Sequence, residues 1–277
     1  MKEFNSKDLK KLYIPLKGSH KGQNGKLMVI GGSVLFHAAS LWSLKIASRI
    51  VDMVFYSSVD ANNEIVQEEK REFRDGIVVP RDKIEHYIDE ADAVLIGPGL
   101  PREEGIEKGD DHTKFLTESL LSKYPNKKWI IDGGSLQVIE PKFIPSDAIL
   151  TPHRKEFETL KLKTAIQNSN LEEQVRIFAK EYNCVVLLKG EKDYISNGLE
   201  TIRVSGGNAG MTKGGTGDVL AGLVSALYCK NEAFLSAACA SYINKKAGEE
   251  LYKTMGIYYN ASDLANEIPK VMKKLIL

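Results

Sequence analysis

The sequence predicts an α/β domain with a mainly parallel sheet and helices on both faces. Three observations carry this reading. Short β-branched apolar runs alternate with longer amphipathic stretches, each run ends in a small-residue or polar turn, and the carboxyl third is helical in pattern. The 277 residues suffice for a substantial core. With no repeat, low-complexity tract or linker, residues 1–277 read as a single domain.

Lys26–Ile30 is a buried strand closed by Gly31-Gly32-Ser33, and Ala38–Ile50 has helical spacing at Leu41, Leu44, Ala47 and Ile50. Asp52–Tyr56 is the next strand. Further strands at Ala93–Ile96, Lys128–Asp132, Ala148–Leu150 and Cys184–Leu188 end in Gly97-Pro98-Gly99, Gly133-Gly134, Thr151-Pro152-His153 and Lys189-Gly190. Tyr194–Ser196 is a last strand before helices at Val219–Cys229, Phe234–Leu251 and Ser262–Leu275. Polar Asp60–Asp75 and Pro101–Asp111 read as surface insertions, the second as a mobile rim because it follows Gly99 directly. In such sheets ligands gather at the carboxyl ends of strands, so the polar residues after each strand are the candidates for a site.

Composition narrows the partners. A net charge of +1 gives no electrostatic case for nucleic acid or an anionic membrane. The three cysteines, Cys184, Cys229 and Cys239, lack metal-ligand spacing and suit a reducing compartment. The amino terminus is charged, without a secretory apolar core, and no apolar run reaches membrane-spanning length. A soluble cytoplasmic protein is expected.

The strongest local signal is Gly206–Gly222, where Gly214-Gly215-Thr216-Gly217 precedes Asp218 and an apolar run. Glycines let several backbone N–H groups converge, and a helix starting there adds its unpaired donors and positive dipole end. Asp218 beside such an anion site can take a proton from a hydroxyl while the amides hold an arriving phosphoryl group. A flexible loop with a helix-capping Asp accounts for the same residues without chemistry, so the surrounding segments must decide. Gly31-Gly32-Ser33 invites a dinucleotide-fold reading, but the G-x-G-x-x-G spacing and its ribose-binding acid are not both present. His20 reads as structural, His86 and His112 as surface residues, and Trp42 as core.

Several strand-end turns match one family in order. SHKGQNGKLMVIGGS (Ser19–Ser33), IGPGL (Ile96–Leu100), ILTPHRKEF (Ile149–Phe157), LLKGEKD (Leu187–Asp193), GGNAGMTKGGTGDVLAG (Gly206–Gly222) and ASDL (Ala261–Leu264) together make the chain resemble the NAD(P)H-hydrate dehydratases, a branch of the ribokinase-like superfamily. Two departures stand out. Ala38-Ala39-Ser40 replaces a small-Ala-Pro opening of the first helix, and Asp132-Gly133-Gly134-Ser135-Leu136 replaces an acidic turn, removing a second carboxylate. The epimerase domain that some members carry in front is not expected, there being no room for it.

The resemblance implies an enzyme that uses ADP or ATP to remove the water added across a ring double bond of NADH or NADPH, with the ring hydroxyl phosphorylated and phosphate then eliminated. The dinucleotide is substrate here, not redox cofactor. By the same resemblance Asp218 is the general base and touches substrate, while Ala39, Gly99 and His153 lie against the hydrated dinucleotide. Lys189, Gly190, Glu191, Lys192 and Asp193 lie along the adenine nucleotide, joined by Asn208, Gly214, Gly215, Thr216 and Gly217. Glu156 holds Mg2+ through water, and the assembly is a homotetramer. Plainer readings stand beside these: His153 as a surface-turn histidine, Glu156 as a helix-start carboxylate favoured by the dipole, residues 189–193 as a charged turn, and Asn208 as a turn residue tolerating left-handed geometry. The nearest rival activity is a kinase for a vitamin-precursor alcohol of the hydroxymethylpyrimidine or hydroxyethylthiazole type. The Thr151-Pro152-His153 turn and the Ser19–Gly25 stretch favour the dehydratase. A non-catalytic nucleotide sensor on the same fold is disfavoured by retention of Asp218 with the whole glycine turn.

Overall fold

A computed structural model describes residues 2–164, 166 and 170–277. In chain order, β1 (Lys2–Glu3) and β2 (Lys26–Ile30) precede α1 (Ala38–Ala47), β3 (Met53–Ser57), α2 (Asp60–Glu69) and β4 (Ile77–Val78). Next come α3 (Ile84–Glu90), β5 (Ala93–Ile96), α4 (Thr113–Lys123), β6 (Lys128–Ile131), α5 (Gly133–Val138) and β7 (Ile149–Leu150). Helices α6 (Arg154–Leu162) and α7 (Leu171–Glu181) lead to β8 (Val185–Leu188), β9 (Asp193–Ser196) and β10 (Thr201–Val204). The chain closes with α8 (Thr216–Tyr228), α9 (Ala233–Met255) and α10 (Ala261–Ile276).

The strands form one sheet in the order β1-β10-β9-β8-β7-β6-β5-β2-β3-β4. Pairing is parallel from β4 through β8, and β9 runs antiparallel to both β8 and β10. Strands buried on both faces need apolar residues at every position, which explains the unbroken runs LMVI and AVLI. Leu27 and Val29 enter a core with α1, α8, α9 and α10. Met28 and Ile30 enter the opposite core, under α3 to α7. Helices on both faces of a mainly parallel sheet are therefore observed as expected.

Differences from the sequence reading are local. The first helix stops at Ala47 because the chain tightens, with Arg49 N–H donating to Ile46 O and Ile50 N–H to Ala47 O. The helix predicted from Val219 begins at Thr216. Asp60–Asp75 is no surface insertion: it holds the crossover helix α2, with Asn62 and Asn63 buried. Asn62 Nδ2 donates to the Tyr56 hydroxyl at 2.8 Å and Asn63 Oδ1 accepts from Ser58 N–H at 3.0 Å, so these amides are polar in sequence yet satisfied inside. Phe234 and Leu235 pack on the core. No described helix is long and apolar enough to cross a membrane.

Candidate active site

Five strand ends converge. The turn after β2 donates Gly32 N–H to Pro98 O, after β5, at 2.8 Å. Gly134 N–H, after β6, donates to Gly97 O at 3.1 Å, and Lys189 N–H, after β8, to Pro152 O at 2.8 Å. Backbones this close leave no room for side chains. Gly97 has φ +119°, and a Cβ there would stand 1.8 Å from Asp132 O. Gly31 faces Pro98 O in the same way, so the Gly31-Gly32 pair serves packing between turns.

The start of α8 faces these strand ends. Gly215, its N-cap, has φ +91°, and a Cβ on it would lie 2.2 Å from the Trp42 ring. Trp42 thus packs on the core, as predicted, and also seats the glycine turn. Val219 N–H donates to Gly215 O at 3.0 Å, closing the first turn. The N–H groups of Gly217 and Asp218 fall within that turn and lack an intrahelical acceptor, which with the helix dipole makes an anion site. Thr216 Oγ1 is turned inward, 2.7 Å from Met211 O and 2.9 Å from Lys213 O, so it fastens the preceding loop to the helix. Ser43 Oγ, on α1, donates to Asp218 O at 2.7 Å.

A charge cluster lies beside this turn. Asp132 is buried, and its Oδ1 accepts from Lys189 Nζ at 2.9 Å and Thr151 Oγ1 at 2.8 Å. Burial pulls the Lys189 ammonium down, but Asp132, Glu156 and Asp218 outweigh it and its pKa is raised. Asp218 is half-buried and makes no ion pair among the described residues. Burial first, then the neighbouring charge of Asp132, raises it to about 7, against the opposing pull of Lys189. A carboxylate poised near neutral pH suits a general base.

Two cavities open here. One, of about 780 Å3, is bordered by Lys189, Gly190, Glu191, Asn208, Thr216 and Gly217. The other, of about 590 Å3, is bordered by Ala39, Gly99, Gly133, Arg102, Glu104 and Glu156. Asp218 follows Gly217 of the first cavity and feels the charge of Glu156 in the second. Arg102 and Glu104 place the 101–111 segment at the rim, where Asp110 Oδ1 pins it by accepting from Val34 N–H at 2.7 Å. A smaller apolar cavity of about 280 Å3, between Leu12, Ile50, Leu227 and Ile276, lies away from every predicted site residue.

Other predicted residues have structural work as well. His153 caps α6: its Nδ1 accepts from Glu156 N–H at 3.1 Å, and Glu156 Oε2 accepts from His153 N–H at 2.8 Å. The His153 side chain stays half exposed and borders the larger cavity. Asn208 is extended, with φ −160°, not left-handed. Its Oδ1 accepts from Gly210 N–H and the Tyr259 hydroxyl, and its Nδ2 donates to Gly248 O, so the amide clasps the loop. Asp193 borders the larger cavity and also supports its wall. It is buried, accepting from Gly190 N–H at 2.9 Å and Ser241 Oγ at 2.7 Å, with Lys245 Nζ at 3.2 Å. Lys192 and Gly214 are exposed.

Sequence reasoning left the role of Asp132 open and missed Lys245. The latter is buried mid-helix, donating to Gly190 O at 3.0 Å and Glu191 O at 3.1 Å. A lone lysine in a helix carries no signal that it is buried. The Ser19–Gly25 stretch lies before β2, at the amino ends of the strands, where Asp52 Oδ2 accepts from Gly22 and Asn24 N–H groups and so supports the fold. No group of three potential metal-binding side chains occurs among the described residues.

Comparison with known proteins adds a family. A family model described as NAD(P)H-hydrate dehydratase matches residues 27–270. A bifunctional NAD(P)H-hydrate repair enzyme from Methanocaldococcus jannaschii is 37% identical over 96% of this chain and 52% of its own length. An ADP-dependent (S)-NAD(P)H-hydrate dehydratase from Nitrosopumilus maritimus is 33% identical over 96% of this chain and 95% of its own. The chain therefore spans about half the length of some curated relatives it matches and nearly all of others. The solved ADP/ATP-dependent NAD(P)H-hydrate dehydratase from Bacillus subtilis, co-crystallised with ATP and Mg2+, superposes with TM-score 0.79 at 22% identity over 99% of this chain and 98% of that one. The fold is ribokinase-like.

Proposed function

Since the chain belongs to the NAD(P)H-hydrate dehydratase family, we propose that it returns hydrated NADH or NADPH to the reduced dinucleotide at the expense of ADP, with ATP as the alternative donor. The observation that carries this is Asp218: half-buried, outside any ion pair among the described residues, raised to about 7, and adjacent to an amide-lined helix start. The larger cavity, bounded by backbone of Gly190, Gly206 and Gly217, takes the nucleotide. The second, with Ala39 and Gly99, takes the hydrated ring. A Cβ on Gly99 would meet Phe36 O at 2.9 Å and the Ala39 Cβ at 3.1 Å, so this wall has no space for bulk.

Asp218 accepts the proton of the ring hydroxyl as that oxygen bonds to the terminal phosphorus of the nucleotide and the bridging P–O bond breaks, releasing AMP from ADP or ADP from ATP. The N–H groups of Gly217 and Asp218 and the Lys189 ammonium stabilise charge on the moving group. Hydroxide leaves poorly, whereas phosphate leaves well. The ring nitrogen lone pair expels it, and loss of a proton from the adjacent carbon restores the double bond. With no three-ligand cluster among the described residues and Glu156 at the cavity edge, the residues fit a magnesium ion that phosphate oxygens and water would hold and Glu156 would support through water; bound there, it would neutralise phosphate charge. A cytoplasmic homotetramer belongs to the same proposal.

The test follows absorbance at the reduced-nicotinamide wavelength after adding enzymatically hydrated NADH, in parallel with ADP, ATP and no nucleotide. Recovery is expected only with nucleotide. No recovery, alongside phosphorylation of a vitamin-precursor alcohol, overturns the reading in favour of a kinase.

A further inference from the structure

Asn244 lies mid-way along α9 and borders the cavity of about 780 Å3. Its side chain is 4% exposed, and its Oδ1 is buried without a hydrogen-bond partner. Among the described residues, neither end of this amide is paired. The polar side chains around it are committed: Asn208 to Gly210, Gly248 and Tyr259, Lys245 to the 190–191 carbonyls and Asp193, Ser241 to Asp193. Buried amides are almost always satisfied, so an unsatisfied one on a residue that borders a cavity points to a missing partner.

We propose that Asn244 reads the adenine base of the nucleotide, an inference that rests on the nucleotide site proposed above. The phosphate end of the cavity is already defined by the Gly215–Gly217 turn and Lys189. A neutral amide offers a donor and an acceptor side by side. That matches the amino group and neighbouring ring nitrogen of adenine, whereas phosphate would leave the acceptor facing negative charge. Leu220 and Met211 line the same cavity and give a flat base apolar surfaces to lie on. Guanine presents a carbonyl where adenine has its amino group, and sets it against the amide oxygen. Asn244 thereby favours adenine over guanine.

The experiment measures ADP and GDP affinity for the full chain by titration calorimetry, with KM and kcat for each in the absorbance assay. Wild type is compared with Asn244→Ala and the isosteric Asn244→Asp, each checked for folding by its melt. In Asn244→Ala the Kd for ADP should rise roughly five- to a hundredfold, the ADP:GDP ratio should fall toward one, and the kinetic loss should lie in KM. Asn244→Asp keeps the shape but only acceptors, and should narrow the ratio too if the alanine variant does not fold. An unchanged ratio in a folded variant overturns the inference and leaves the amide serving buried water only. Asn244-dependent ADP binding without absorbance recovery would uphold this inference and remove the proposed activity. Recovery with an unchanged base preference would do the reverse. No ADP binding by wild type would remove both.

Discussion

Asp218 combines the two properties a general base needs, access and a pKa near the working pH. Burial and the charge of Asp132 raise its pKa to about 7, while Lys189 keeps it from rising further. Activity measured as kcat/KM should therefore climb as pH rises through about 7 and level off above it. Asp218→Asn should lower turnover by about a hundred- to ten-thousandfold while nucleotide still binds. Stability should move the other way. A carboxyl raised in the folded state contributes stability that is present below its unfolded pKa and lost as pH rises through about 7. Asp218→Asn should consequently melt higher than wild type at pH ~8, with the gap closing toward pH ~4; melts and initial rates on the same samples test both halves. A variant with wild-type rate removes Asp218 from the chemistry. Asp218 was legible because its glycine turn is contiguous in sequence. Its regulators were not: Lys189 and Asp132 are 57 positions apart and meet only in the fold.

Helix α8 presents its first turn correctly because α1 holds it from behind. Trp42 seats Gly215, Ser43 bonds Asp218 O, and Gly222 brings the helices together: a Cβ there would stand 2.6 Å from Ser43 Cα. Gly215→Ala forces a side chain onto φ +91° and into the Trp42 ring. Such strain costs about 1–3 kcal/mol, roughly 2–4 °C in Tm per kcal/mol for a chain near this size. Re-aiming the first-turn amides should cost more than tenfold in kcat, of the order seen when one donor to a developing charge is lost. Gly214→Ala should leave Tm unchanged, since nothing lies within 4 Å of its Cβ position. Equal melts for the two variants would show that Trp42 does not constrain the turn. At this scale the strands were readable because burial on both faces writes continuous apolar runs. Helix α2 was not, because Asn62 and Asn63 look like surface residues until Tyr56 and Ser58 are seen to satisfy them.

The molecule as a whole divides its labour between the two ends of one sheet. Chemistry-bearing residues follow the carboxyl ends of β5, β6, β7 and β8, as expected for a parallel sheet. The Ser19–Gly25 turn packs at the opposite end, so a sequence match in that segment reports architecture. Asp52 is its staple: its carboxylate accepts from Gly22 N–H at 2.8 Å, Asn24 N–H at 3.0 Å and Asn24 Nδ2 at 3.1 Å. Burial pushes its pKa up, but these donors from Asn24, Gly22 and Gln23 prevail and the net shift is downward. The sign is thus opposite to that of Asp218. A lowered carboxylate contributes stability above its unfolded pKa of about 3.9 and loses it as pH falls through the folded value. Asp52→Ala should melt below wild type at neutral pH, and the two curves should merge in acid. The site lies at the far end of the sheet, so kcat and the nucleotide KM should not change below the melting range. Thermal melts from pH ~3 to 8 with matched rate measurements decide it. A drop in kcat with an unshifted melt would mean that the amino-end turn communicates with the site and that the division between the two ends does not hold.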